Sequence, residues 1–213
     1  MTESKRIVPP LLRVILNADE EITKKFVLWG NSLSPLHALR MHFQALEITC
    51  HGIPWLVFWV AVTWLFNKPS LVPLQVNMLL ALILDIVAIA LLKAYFRRRR
   101  PMGNKDDAFA QIGPDNFSFP SGHVSRAAMV VFIFIFLYPV SIIFYPPMFA
   151  WVTVLAISRV LMERHYLLDV AGGLFLGIFE GILMSILWLS DENARWLFNC
   201  ISDEKLEGGE FHV

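Results

Sequence analysis

The longest apolar stretch of the chain runs from about Leu71 to Leu92, and it contains one ionisable residue, Asp85. A helix needs roughly 20 mainly apolar residues to cross the hydrocarbon core of a bilayer. Polar segments border the stretch on both sides, Asn67 to Pro69 before it and Lys93 to Pro101 after it. The stretch therefore predicts a transmembrane helix.

Four other segments have the composition of membrane spans. In chain order, the first span runs from about Ile53 to Phe66, the second is Leu71 to Leu92, the third runs from about Gly122 to Tyr138, the fourth ends at about Ser158, and the fifth runs from about Leu167 to Leu189. Pro139, Pro146 and Pro147 place a turn between the third and fourth spans. Hydrophobic residues make up 56% of the chain, more than a soluble domain contains. We therefore expect an all-α, multi-span transmembrane bundle of about five helices.

The ends of the chain differ from this apolar centre. The first 49 residues mix apolar and charged positions, a pattern typical of amphipathic helices at a membrane surface, and we predict no cleaved signal peptide. We therefore divide the chain into an amphipathic segment, 1–49, a membrane domain, 50–190, and a polar tail, 191–213. Its net charge is zero, so the overall charge points to no particular partner, and we expect no binding of nucleic acid.

Five spans would bring three polar segments to one face of the membrane, and the first is rich in cations. If the helix of the second span continues through the arginines, Lys93, Arg97 and Arg100 share a face, and Pro101 ends the helix. Such a row suits a phosphate, since arginine donates two parallel hydrogen bonds and lysine supplies a point charge. For Arg98 and Arg99 we favour the alternative, a cluster that only anchors the helix.

The second polar segment, Pro120 to His123, lies where the helix of the third span should begin. The free N–H groups and the positive dipole of a helix N-terminus bind anions. Ser121 can cap the helix or donate to an anion, and Gly122 allows a close approach. We therefore interpret His123 as an acid–base group beside an anion site.

The third polar segment joins the fourth and fifth spans. His165 and Asp169 are spaced i and i+4, so the carboxylate is expected to accept the Nδ1–H of the imidazole and leave Nε2 as a nucleophile. Arg159 would add a phosphate donor. Elsewhere, Glu47 is expected to contact His51, four residues further along.

In this order the three segments resemble the signature of the type 2 phosphatidic acid phosphatase family. The family resemblance implies an integral membrane phosphatase that acts on lipid phosphates through a phosphohistidine. It implies that the phosphate is held by Lys93, Arg100, Ser121, Gly122 and Arg159. It implies that the catalytic residues are His165, His123 and Asp169. No metal or cofactor is expected, because these cations stabilise the charge that Mg²⁺ neutralises in other phosphoryl-transfer sites.

Residues 40–190 are similar, more narrowly, to the branch of that family that hydrolyses polyisoprenoid diphosphates and monophosphates. The similarity lies in Glu47 to Pro54, the four arginines, Phe119 to His123 with Arg126, and Ser158 to Asp169. It implies presqualene, farnesyl and geranylgeranyl diphosphates as substrates, and the endoplasmic reticulum and nuclear envelope as location. Three alternatives stay open: a phosphatase of phosphatidate and sphingoid phosphates, an inactive scaffold of the same fold, and a vanadate-dependent oxidant.

The orientation in the membrane follows from the basic residues. Positively charged segments favour the cytoplasmic face, and five spans place the N-terminus on the same face as the three polar segments. The N-terminal cations that the chemistry does not need are Lys5, Arg6, Arg13, Lys24 and Lys25. We therefore expect a cytoplasmic site and a C-terminal tail on the opposite face.

Overall fold

The computed structural model describes residues 9–33, 40–66, 68–101 and 117–201. Within these ranges the helices are α1 Pro10–Ser32, α2 Arg40–Ile48, α3 Gly52–Leu65, α4 Val72–Phe96, α5 Gly122–Phe132, α6 Tyr145–Leu161, α7 Leu167–Leu187 and α8 Asp191–Ile201. A π-helix, Ile133–Leu137, continues α5, and a 3₁₀ turn, Ile142–Phe144, precedes α6. The described residues confirm the all-α expectation, since extended pairing among them is limited to a bridge between Arg99 and Phe117.

The predicted spans coincide with α3 to α7. Among the described residues, three helices are long and apolar enough to cross a membrane: Val72–Phe96, Ile142–Leu161 and Leu167–Leu187. Gly52–Leu65 and Gly122–Leu137 are also apolar but shorter. Large apolar side chains remain exposed on the outer faces, and Phe175 and Ile186 are 74% and 77% accessible. Such surfaces are stable against lipid rather than water.

Helices α1 and α8 lie at opposite ends of this bundle. On α1, Thr23, Val27 and Gly30 are buried, and Asp19 contacts Arg98, just beyond the end of α4. The beginning of α4 instead packs against α8, where Ala194 is buried. The first part of the predicted polar tail is therefore an amphipathic helix docked on the bundle, whereas residues 202–213 lie outside the described part.

Helices α5 and α7 approach each other closely because α7 carries glycines four residues apart. A Cβ atom at Gly173 would lie 2.5 Å from the carbonyl oxygen of Ser121, and one at Gly177 would lie 2.1 Å from that of Ser125. Small residues at this spacing let membrane helices pack backbone against backbone. The contact fixes the N-terminal ends of α5 and α7 side by side, and these ends carry the second and third polar segments.

A buried polar cluster ties three helices together in the centre of the bundle. Arg126 on α5 donates from Nη2 to Oδ2 of Asp85 on α4. Next to it, the Ser125 hydroxyl donates to Oε2 of Glu180 on α7 at 3.1 Å. Charged groups inside a membrane bundle need such partners. The cluster thus supplies the partner of Asp85 that the sequence alone did not identify.

Candidate active site

His165 lies in the short connection between α6 and α7. Glu163 adopts the left-handed conformation, with φ of 55°, and the backbone N–H groups of Arg164 and His165 donate to the carbonyl oxygen of Arg159. The His165 ring is buried, and its Nδ1 donates to the carbonyl oxygen of Ser118 at 2.8 Å. Because a carbonyl can only accept, Nδ1 carries the hydrogen and Nε2 keeps its lone pair.

Asp169 stands beside this ring but is engaged by other donors. Its Oδ2 lies 3.8 Å from Nδ1 of His165, too far for a hydrogen bond. The same Oδ2 accepts from the backbone N–H of Tyr166 at 2.8 Å, and Oδ1 accepts from Arg98, also at 2.8 Å. The expected hydrogen bond between His165 and Asp169 is thus replaced by one to Ser118, and Asp169 acts on the ring through its charge.

The protonation of His165 reflects these surroundings. Burial lowers the pKa of His165, and the charges of Arg100 and Lys93 lower it further, whereas Asp169 opposes the shift. The lowered pKa favours the neutral imidazole, which is the nucleophilic form. Because Lys93 and Arg100 belong to the first polar segment and His165 to the third, these interactions also show that the two segments lie close together.

The predicted row of cations on one helical face is wrong, because α4 ends at Phe96. Arg97 follows in the left-handed conformation with φ of 52°, and its N–H closes the helix on the carbonyl oxygen of Lys93. Lys93 is buried in the last turn of α4, but Arg97 is exposed and Arg100 lies beyond the helix. The break turns the chain so that Arg98 enters the site.

Arg98 was expected to be an anchor, and the structure instead places it against the third segment. Its guanidinium lies 4.0 Å above the ring centroid of Tyr166 and contacts Asp169. Nη2 donates to Oδ2 of Asp19 on α1 at 2.6 Å. Arg98 therefore links α1 to the first turn of α7.

Helix α1 also caps α7 directly. The N–H groups of Leu167 and Leu168 at the start of α7 donate to the Thr23 hydroxyl at 3.1 Å and to Oδ1 of Asp19 at 2.9 Å. The first N–H groups of a helix have no acceptor within the helix, so these side chains replace a local cap. The N-terminal segment thus supports the helix that carries Asp169.

The second polar segment forms the N-terminus of α5, as expected. Ser121 is the N-cap residue, and its N–H donates to the carbonyl oxygen of Asp169 at 3.0 Å. Its hydroxyl is buried and has no hydrogen-bond partner among the described residues, and the same holds for Nε2 of His123. His123 lies within electrostatic range of Lys93, Arg159 and His165. All three segments therefore converge on one place.

Arg159 enters from the last turn of α6 and is 1% exposed. Its Nη1 lies 2.8 Å from Oε1 of Glu47 on α2, and Nη2 donates to the carbonyl oxygen of Phe43 at 3.4 Å. Glu47, which was expected to contact His51, is thus paired with Arg159. The ring of His51 packs edge-on against His123, with the centroids 5.8 Å apart.

The site can bind an anion and transfer a group to an imidazole. Buried polar atoms nearly always have partners, so the orphaned Ser121 hydroxyl, His123 Nε2 and Arg159 Nε indicate a ligand position among the cations. In the described part of the chain, no three His, Cys, Asp or Glu side chains are placed to hold a metal ion. Metal independence itself stays a prediction.

Four residues that contribute to the site were not identified from the sequence. Arg98 is one of four consecutive arginines, and only the backbone turn at Arg97 gives it a different environment from the other three. Ser118 acts through its carbonyl oxygen and leaves no side-chain signal. Asp19 and Glu47 lie in the amphipathic segment, where carboxylates usually face water.

Comparison with known proteins identifies the family of the chain. Residues 74–192 match the PAP2 superfamily. The chain is similar to the probable lipid phosphate phosphatase beta of Arabidopsis thaliana, with 37% identity over 150 residues that cover 59% of this chain and 70% of the relative.

Two solved structures share the fold. One is LpxE of Aquifex aeolicus, with a TM-score of 0.54 and 25% identity over 76% of this chain and 92% of that one. The other is a transmembrane PAP2-type phosphatidylglycerolphosphate phosphatase of Bacillus subtilis, with a TM-score of 0.57 and 25% identity over 82% of this chain and 86% of that one. With its apolar spans and its match over more than half of the sequence, the chain is an integral membrane protein that belongs to the PAP2 superfamily.

Proposed function

We propose that the chain hydrolyses lipid phosphates through a covalent phosphohistidine on His165. The observation that carries this proposal is the hydrogen bond from Nδ1 of His165 to the carbonyl oxygen of Ser118. It holds the ring in the tautomer whose Nε2 lone pair can attack phosphorus. The charge of Asp169, 3.8 Å from Nδ1, stabilises the ring as it becomes positive during attack.

The reaction consists of two displacements at phosphorus. In the first, Nε2 of His165 forms a bond to phosphorus while the bond from phosphorus to the leaving oxygen breaks, and His123 gives that oxygen a proton. In the second, His123 takes a proton from water, the water oxygen attacks phosphorus, and the P–N bond breaks to release phosphate. His123 is thus the acid of the first step and the base of the second.

Cations and amides hold the non-bridging oxygens through both steps. Lys93, Arg100 and Arg159 supply positive charge, and the amides around Ser121 and Gly122 supply the dipole of the helix N-terminus. Arg159 comes from α6 and the amides from α5, so the two groups reach the phosphate from different helices. This assignment accounts for the orphaned Ser121 hydroxyl, which would donate to the same phosphate.

For the substrate we propose polyisoprenoid diphosphates and monophosphates, hydrolysed at the endoplasmic reticulum and nuclear envelope. Support for this branch comes from the sequence around the three segments, which resembles it, whereas the relative named as a lipid phosphate phosphatase supports only the broader class of lipid phosphates. With a diphosphate, the terminal phosphorus is attacked and the isoprenoid monophosphate leaves. The alternative substrate class is phosphatidate and sphingoid phosphates, which require the same three segments.

A substrate panel tests the proposal. Purified protein in excess EDTA is assayed for phosphate release from farnesyl diphosphate and from phosphatidate, with and without vanadate. We expect vanadate-sensitive release with a higher kcat/KM for farnesyl diphosphate. A higher kcat/KM for phosphatidate would favour the alternative substrate class, an absolute Mg²⁺ requirement would contradict the mechanism, and equal background rates in the parent and in His165→Ala would indicate a scaffold.

A further inference from the structure

Glu47 places a carboxylate between two groups of the proposed machinery. Its Oε1 lies 2.8 Å from Nη1 of Arg159 and 4.0 Å from Nε2 of His123. The Arg159 side chain is 1% exposed and that of Glu47 is 17% exposed, so the pair is largely removed from water. Helix α2, which carries Glu47, lies outside residues 74–192, the part that matches the family.

The other charges around His123 are mainly positive. The groups within electrostatic range of its ring are Arg159 from α6, Arg126 from its own helix, His165 from the connection that follows α6 and Lys93 from α4, and the rings or carboxylates nearest to it are those of His51 before α3 and Glu47 from α2. Positive neighbours oppose a proton on the ring, yet the proposed first step needs that proton.

Like Glu47, which pairs with Arg159, two further carboxylates near the site pair with arginines. Asp85 accepts from Arg126 and Asp169 accepts from Arg98. Glu47 is the described carboxylate that lies within ion-pair distance of His123. It is therefore placed to offset the positive charges that surround the ring.

We propose that Glu47 is a positioning residue that aims Arg159 at the phosphate and stabilises the protonated ring of His123. The proposal rests on the proposed function, in which His123 protonates the leaving oxygen. The contact with Nη1 fixes one end of the Arg159 guanidinium and leaves its Nε, which has no partner among the described residues, to bind the phosphate. At 4.0 Å the carboxylate stabilises the imidazolium through its charge without taking the proton from it.

A competing role for Glu47 gives a different result. If its carboxylate only occupies the phosphate position until substrate binds, removal of its charge lowers KM and leaves the pH dependence of kcat unchanged. If it stabilises the imidazolium, removal of its charge alters the pH dependence of kcat. The two roles are therefore separated by the pH profile and by the split between kcat and KM.

The kinetic test uses two substitutions at one position and a matched control. Glu47→Gln keeps the size of the side chain and removes its charge, Glu47→Asp keeps the charge, and Glu192→Gln removes an exposed charge from α8 at the opposite end of the bundle. In Glu47→Gln we expect the alkaline limb of kcat to move to lower pH by about one unit. Glu47→Asp should show only a small part of this shift, and Glu192→Gln should have the same pH profile as the parent.

A second measurement does not depend on turnover. Histidine side-chain NMR in nanodiscs follows the titration of the six histidines, and His123→Gln identifies the His123 signal. We expect the midpoint of that signal to move to lower pH in Glu47→Gln and to stay in place in Glu192→Gln. An unchanged midpoint in Glu47→Gln would overturn the role of Glu47. If the midpoint moves in Glu47→Gln but the parent protein releases no phosphate, the result would support this role of Glu47 and refute the proposed function.

Discussion

The guanidinium of Arg98 donates from Nη1 to Oδ1 of Asp169 at 2.8 Å, and the Asp169 side chain is fully buried beside the proposed nucleophile. The contact joins the segment that follows α4 to the first turn of α7. Since Asp169 lies 3.8 Å from His165, the proposed mechanism has Arg98 act on the reaction through the position of this carboxylate.

Arg98→Ala should therefore lower kcat more than it raises KM. The substitution leaves the buried Asp169 without its cation, and a small displacement of a group beside the nucleophile lowers the rate by about 100-fold. Arg97→Ala is the matched control, because Arg97 is exposed and donates to the carbonyl oxygen of Ala94. Steady-state kinetics on both variants check the prediction, and equal losses in the two would contradict it.

Gly177→Ala should destabilise the bundle by about 1–3 kcal/mol, because a Cβ atom there would lie 2.1 Å from the backbone oxygen of Ser125. The helices α5 and α7 would have to separate. Ile178→Ala, on the exposed side of α7, provides the comparison. Unfolding by detergent titration measures both variants, and an unchanged midpoint for Gly177→Ala would show that the helices do not pack this closely.

The acid limb of kcat/KM should lie below pH 6.5, the ordinary pKa of histidine. Burial lowers the pKa of His165, so the neutral nucleophile persists as the pH falls and is lost only when the pH passes the lowered value. The same depressed pKa makes the folded state lose stability as the pH falls through it. A rate profile between about pH 4 and 8 measures the limb, and an acid limb above pH 6.5 would contradict the buried, neutral ring.

The N-terminus should face the cytoplasm and the C-terminus the opposite side. Helices α1 and α8 lie at opposite ends of the bundle, as five spans require. With a tag at each end, protease added to intact microsomes should cut the N-terminal tag and leave the C-terminal tag shielded. The reverse pattern would invert the orientation, and cleavage of both tags would indicate an even number of spans.

The spans were predictable because each is an apolar run with its own boundary signals, and the helix bounds agree to within a few residues for Leu71 to Leu92. The convergence of three segments also followed from topology, since successive spans alternate between membrane faces. Both inferences depend on composition and chain order, which a sequence states directly.

The finer arrangement of the site depends on contacts that a sequence does not state. Arg97 ends α4 in the left-handed conformation, which nothing in a run of four arginines indicates. Nδ1 of His165 meets a carbonyl oxygen, and every residue carries one. Glu47 meets Arg159 across a long stretch of chain, so helical spacing favoured the nearer His51 instead.

The central claim is that His165 carries the phosphoryl group between the two displacements. Single-turnover trapping with radiolabelled substrate tests it directly in the parent, His165→Ala and Asp169→Asn. The account predicts an acid-labile, base-stable phosphoenzyme in the parent, none in His165→Ala, and a small residual turnover in Asp169→Asn. Substantial turnover by His165→Ala, or label retained on that variant, would contradict it.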